Sequence, residues 1–152
     1  METSNRFKVA EIELAYRPGD LLKNRPVITR SEDAFGIFFS TWDMNRICLN
    51  EQFKVLFLNR ANRVLALYES STGGTTGTVV DIRLLLVAAL KVNALAMILA
   101  HNHPSGNLNP SKADLTLTKK AVGAAKLLDM QVLDHLIIST DGYCSLVDRG
   151  DI

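Results

Sequence analysis

The stretch ALAMILAHNHPSGNLNPSKAD, residues 94–114, passes from an apolar run through a turn-rich segment to a helix start. Ala94–Ala100 is short, apolar and bounded by polar residues, so it reads as an interior strand ending at His101. If the backbone stays extended past that point, His101 and His103 project to the same side, because strand side chains alternate. Pro104 keeps the chain out of helix after His103, and Gly106 and Pro110 let it turn back. Ser111–Leu128 reads as the next helix, with Ser111 as a cap and Asp114 in its first turn, where the helix dipole favours a carboxylate. The unit is therefore strand, turn, helix, with two imidazoles and one carboxylate gathered at the turn.

Outward from this unit the pattern repeats. Val132–Ile138 reads as a strand, and Asp141-Gly142 as a hairpin turn into a strand over Cys144–Val147. Upstream, Asp81–Val92 reads as a buried helix, since Leu84, Leu85, Val87, Ala88 and Leu90 cover most of its circumference. Phe53–Leu58 and Val64–Tyr68 form a hairpin around Asn59-Arg60-Ala61-Asn62-Arg63. Phe35, Phe38, Phe39 and Trp42 recur at helical spacing, which predicts an amphipathic helix over Glu32–Ile47 capped from Thr29 or Ser31, its aromatic stripe serving as core. Ser70–Thr78 reads as a connecting loop, with a flap beside the site as the alternative; without a Lys followed by Ser or Thr it is no phosphate-binding loop. Residues 1–30 form an arm with an edge strand near Val9–Tyr16, and 31–152 form the domain. This order predicts an α/β sandwich with a mixed sheet.

Two neutral imidazoles and a carboxylate make a three-ligand site for a divalent metal and leave a fourth position for water. Two of the chain's 3 histidines lie in this one segment. Each part has a plainer reading alone: Ser111 and Asp114 fit a helix cap, and histidines near turns are often just polar surface. Together they point to a metal. A hydrolytic site also needs a base outside the ligand set. Glu51, just before the strand at Phe53, is one candidate; Glu69 and Glu32 are others, and composition does not separate them.

The bulk properties fit this picture. At 152 residues, 47% hydrophobic and 22% charged, the chain is one domain's worth of ordinary globular composition. A net charge of +1 gives no overall pull toward nucleic acid or acidic lipid. Cys48 and Cys144 are far apart and read as free thiols. No apolar run approaches a membrane span, and the start lacks a signal core, so a cytoplasmic protein without membrane contact is expected.

The motif His101-x-His103-x(7)-Ser111-x(2)-Asp114, with an upstream Glu, resembles the JAMM metalloprotease motif of MPN (JAB) domains. More narrowly, HNHPSGNLNPSKADLTLT and the following VLDHLII (Val132–Ile138) are similar to the bacterial RadC family, over roughly residues 30–148. The resemblance implies a cytidine-deaminase-like three-layer α/β/α sandwich. It implies His101, His103 and Asp114 as ligands of one Zn2+, other divalent metals being alternatives. The Glu before an E-x-F-x-V-L-x-L strand selects Glu51 as general acid/base, and Ser111 would stabilise an oxyanion, though its side chain could instead cap the helix. Longer RadC proteins carry a DNA-binding helix-hairpin-helix before this domain; Glu2–Leu22 lacks its Gly-rich hairpin. Asp134 and His135 face opposite sides of their strand, so one of them is expected at the cleft or behind the ligands.

The leading functional expectation is a metallopeptidase acting on a peptide or isopeptide bond of a protein or peptide substrate. The alternatives are a DNA-repair-associated nucleic-acid binder or nuclease, using Arg60, Arg63, Arg83, Lys112, Lys119 and Lys120, and a scaffold without catalysis. A deaminase is excluded because H-x-E and P-C-x-x-C are absent. Substrate and oligomeric state, including a homo-oligomer, stay open.

Overall fold

Two strands with no exposed residue form the middle of the molecule, and helices cover both of their faces. The computed structural model describes residues 9–72 and 79–152. After a 3-10 turn at Leu22–Asn24 come α1 (Ser31–Thr41), β1 (Gln52–Leu58), β2 (Val64–Thr72), α2 (Ile82–Lys91), β3 (Ala96–Asn102), α3 (Lys112–Lys126), β4 (Gln131–Ser139), β5 (Gly142–Ser145) and α4 (Leu146–Arg149). Among the described residues, 5 strands form one sheet in the order β2-β1-β3-β4-β5. β3 and β4 are parallel, while the other neighbours are antiparallel. Parallel strands need a crossover, and α3 supplies it. The sheet is thus mixed.

Alternation sorts the strand side chains onto two faces. Leu56, Leu58, Ile98, Ala100, Leu136 and Ile138 pack with Ala34 and Phe38 of α1, and with Trp42 and Ile47. Phe53, Val55, Phe57, Met97 and Leu99 point the other way, onto Ile82, Leu85 and Ala89 of α2 and Ala121 and Ala125 of α3. The result is the expected three-layer α/β/α sandwich. His101 follows Met97 and Leu99 onto the α2/α3 face, whereas Asn102 falls on the α1 face.

Several expected boundaries are corrected. Val9–Tyr16 forms no strand; Ile12 and Leu14 are exposed and pair with nothing described. The arm joins the body later, where Val27 bridges Arg63 and Ile28 enters the core. The first helix ends at Thr41, well before Ile47. Trp42 turns extended, Asn45 N–H donates to Asp43 Oδ1 at 3.0 Å, and Lys54 Nζ donates to the Thr41 carbonyl at 3.1 Å, closing the helix end. Its start is held by Asp33, whose Oδ2 accepts from the Thr29 and Arg30 amides.

The helix over Ile82–Lys91 is not buried all round: Leu84, Val87 and Leu90 are exposed, because the sheet takes only the Ile82-Leu85-Ala89 stripe. The last strand stops at Ser145, which caps α4 by accepting from Asp148 N–H, so Leu146 and Val147 are helical. Ser70 to Thr72 belong to β2, and the remaining loop with its flap role, 73–78, lies outside the described residues. Cys48 and Cys144 are free thiols. Among the described residues no helix is long and apolar enough to cross a membrane.

Candidate metal centre

The end of β3 carries the site. His101 is 3% exposed and lies on the α2/α3 face. His103 stays extended because its N–H donates to the Ile138 carbonyl of β4 at 3.3 Å. The chain then turns: Gly106 N–H donates to the His103 carbonyl at 2.9 Å, and Gly106 has φ +81°, a conformation that favours glycine. The turn delivers Ser111 to the N-cap of α3. Its Oγ accepts from Asp114 N–H at 3.1 Å, and its own N–H donates to Asp114 Oδ2 at 2.7 Å. That reciprocal pair fixes the Asp114 carboxylate opposite the imidazoles.

Three ligand atoms converge. His101 Nε2 lies 3.0 Å from His103 Nε2 and 3.1 Å from Asp114 Oδ1, and His103 Nε2 lies 3.2 Å from Asp114 Oδ2. Bond lengths of about 2.0–2.2 Å in a tetrahedral zinc site place neighbouring ligand atoms about 3.3–3.5 Å apart. The two imidazole nitrogens therefore need to part by only a few tenths of an ångström to share an ion. Two imidazole lone pairs and a carboxylate this close repel one another unless a cation, a proton or a metal ion, lies among them. The donor set, two nitrogens and an oxygen, suits zinc and also iron or manganese.

The far sides of both imidazoles fix which nitrogen faces Asp114. His103 Nδ1 lies 2.5 Å from the Asn107 carbonyl, which only accepts, so this nitrogen carries the proton and Nε2 offers its lone pair. His101 Nδ1 lies 2.8 Å from His135 Nε2, and His135 Nδ1 lies 2.6 Å from Thr118 Oγ1. Thr118 donates its own hydroxyl to the Asp114 carbonyl at 2.7 Å. One proton assignment satisfies the whole chain: His101 Nδ1–H donates to His135 Nε2, and His135 Nδ1–H donates to Thr118. His135 is then neutral, and its complete burial favours this by pushing its pKa well below the ordinary histidine value. Of the adjacent pair on β4, His135 stands behind the ligands. Asp134 faces α4, bonded to Ser145 Oγ at 2.6 Å and Val147 N–H at 3.1 Å, with its pKa raised by burial.

The electrostatics suit a cation. Burial works against the Asp114 charge, yet the two imidazoles hold its carboxyl well below the usual range. The Asp114 carboxylate, as acceptor for His103, raises the His103 pKa, and the Glu51 carboxylate adds to that rise. Glu51 is thus within electrostatic reach of His103. The paired register of β1 and β3 ends at Phe53 and His101, so Glu51 and His103 both lie just beyond it at the same end of the two strands. The other candidate bases are elsewhere. Glu69 accepts from Gln52 Nε2 at 3.2 Å, and Glu32 pairs with Arg30 at 3.2 Å on α1, across the sheet. Of the basic residues, Arg60 and Arg63 lie away from the cluster, in the β1–β2 turn at the opposite end of β1, where Arg63 donates to the Arg25 carbonyl.

Sequence reasoning did not single out Asn107, Thr118 or Asn102. Thr118 was in principle legible, one helical turn beyond Asp114.

A profile of the RadC-like JAB domain matches residues 28–151. The chain is 46% identical over 147 residues to a UPF0758 protein of Flavobacterium johnsoniae, covering 93% of this chain and 61% of that protein. A UPF0758 protein of Porphyromonas gingivalis is 39% identical over 146 residues, at 93% and 62% coverage. One of Acidithiobacillus ferrooxidans is 46% identical over 100 residues, at 66% and 45% coverage. The chain spans less than two thirds of the length of these curated relatives. With the ligand triangle lying inside the matched span, the chain belongs to the RadC-like JAB-domain family.

Proposed function

We propose that this domain is a JAMM-type zinc-dependent hydrolase that cuts a peptide or isopeptide bond in a protein or peptide substrate. The observation that carries the reading is the cluster of His101 Nε2, His103 Nε2 and the Asp114 carboxylate, one oxygen of which lies 3.1 Å from His101 and the other 3.2 Å from His103, with the Glu51 charge acting on His103. A zinc ion held there supplies Lewis acidity, polarising a water molecule and lowering its pKa toward about 7.

The chain's own residues do the rest. Glu51 takes a proton from the attacking water and returns it to the leaving amine, the two halves of general acid–base catalysis. Ser111 donates its hydroxyl to the carbonyl oxygen as negative charge develops there. Capping does not prevent this. The capping bond uses a lone pair of Oγ, which leaves the O–H proton to donate. His135 and Thr118 hold the His101 ring in one tautomer throughout.

The test is a proteome-derived peptide library incubated with zinc-loaded and chelator-stripped protein and read by mass spectrometry. New termini that appear with zinc, vanish on stripping and return with added zinc support the reading. Cleavage unaffected by stripping, or none in either sample, overturns it.

A further inference from the structure

Asn102, the residue between the two histidine ligands, points away from them and makes three hydrogen bonds to backbone around Glu51. It is fully buried on the α1 face. Its Oδ1 accepts from Gln52 N–H at 2.7 Å, and its Nδ2 donates to the Ile47 carbonyl at 2.7 Å and the Asn50 carbonyl at 2.9 Å. Asn50 and Gln52 flank Glu51 directly. The paired register between β1 and β3 runs out at Phe53 and His101. Beyond that point this carboxamide takes the place of the ladder.

We propose that Asn102 is the positioning residue for Glu51: its carboxamide clamps the backbone on both sides of Glu51 to the strand end that carries the metal ligands. The inference rests on the reading of Glu51 as general acid/base. It makes one dipeptide step do two jobs, since His101 faces the metal while Asn102 faces the loop that delivers the base. The polarity of the clamp is specific. Two donors and an acceptor are used, so a carboxylate of the same shape could keep the Gln52 bond but would face two carbonyl oxygens without protons to share.

The test compares wild type with Asn102→Asp, Asn102→Ser and Glu51→Gln, all zinc-loaded, on the fastest-cut library peptide. For both Asn102 variants, kcat is expected to fall about 10²-fold, the scale of an ångström's misplacement of a reacting group, with KM little changed. Zinc content should stay at wild-type level. In the metal-free proteins, amide exchange should accelerate at residues 47–52 and stay unchanged in β3 and β4. Asn102→Ser keeps one hydroxyl and serves if Asn102→Asp does not fold.

Wild-type kcat with unchanged exchange at 47–52 overturns the proposal, while Glu51→Gln still inactive leaves the catalytic reading standing. An active Glu51→Gln removes the reading beneath it. If both Asn102 variants fail to fold, or lose zinc in step with activity, Asn102 belongs to the fold and the proposal fails.

Discussion

The chain contains two Ser-x-x-Asp helix starts, Ser111–Asp114 before α3 and Ser145–Asp148 before α4, and they differ in what faces them. In both, the serine Oγ accepts from the amide three residues on, at 3.1 Å and 3.0 Å. At α3 the aspartate meets two imidazoles from the end of β3. At α4 it accepts from Ser31 of α1, and the Ser145 hydroxyl donates to buried Asp134 at 2.6 Å. The motif is therefore a helix start first. It becomes a candidate metal site only where a neighbouring strand end supplies two imidazole nitrogens. The second copy also shows that a capping serine can donate while it caps, which is the behaviour proposed for Ser111.

Exchanging the same residue at both starts should separate their roles. Asp114→Asn should weaken zinc binding by more than the roughly 10–100-fold typical of changes behind the ligands, measured by competition with a chromophoric chelator. Asp148→Asn should leave it unchanged; equal losses would erase the distinction. Ser111→Ala should lower the rate on the best library peptide by about 10²–10³-fold, the cost of one oxyanion donor. Ser145→Ala should spare the rate and lower stability instead. It removes a cap worth about 1 kcal/mol and a bond to a buried carboxyl, both read by denaturant midpoint.

Two smaller effects sharpen the metal side. His135→Phe keeps an aromatic ring of similar size but gives His101 Nδ1–H no acceptor, so zinc affinity should fall about 10–100-fold with the fold intact. Unchanged affinity would mean that packing alone orients His101. Affinity should also depend on pH. The Asp114 carboxylate beside the metal-free His103 raises its pKa, so proton competition with zinc extends to higher pH than at an ordinary histidine. Affinity should therefore climb by up to about tenfold per pH unit for that proton, then level off above the raised value. A pH-independent isotherm between about 6 and 8, where an ordinary or raised histidine titrates, would contradict this.

The strand-turn-helix unit was legible because its signals agree: an apolar run, a Gly/Pro turn and a cap followed by an acid. The three-layer order followed from the alternation of helix and strand patterns. The misread boundaries have physical causes. Trp42 and Ile47 are both buried and so prolong an apolar spacing after Asp43 has already turned the chain. Leu146 and Val147 suggested a strand, although the Ser-x-x-Asp pattern read as a cap at Ser111 was present again at Ser145. Ile12, Leu14 and Tyr16 alternate like a strand, but alternation alone provides no partner.

Within the candidate site, the cluster of His101, His103 and Asp114 was legible by spacing. The hydrogen bonds around it were not, since Asn107 meets His103, and Thr118 meets His135, only in the folded chain. Glu51 was singled out by the resemblance alone, since composition did not separate it from Glu69 and Glu32.

The most direct test of the central claim measures zinc content and peptide cleavage on the same preparations of wild type and Glu51→Gln. The account predicts one zinc per chain in both and cleavage in wild type alone. Wild-type protein without stoichiometric metal, or Glu51→Gln cutting at the wild-type rate, would contradict it.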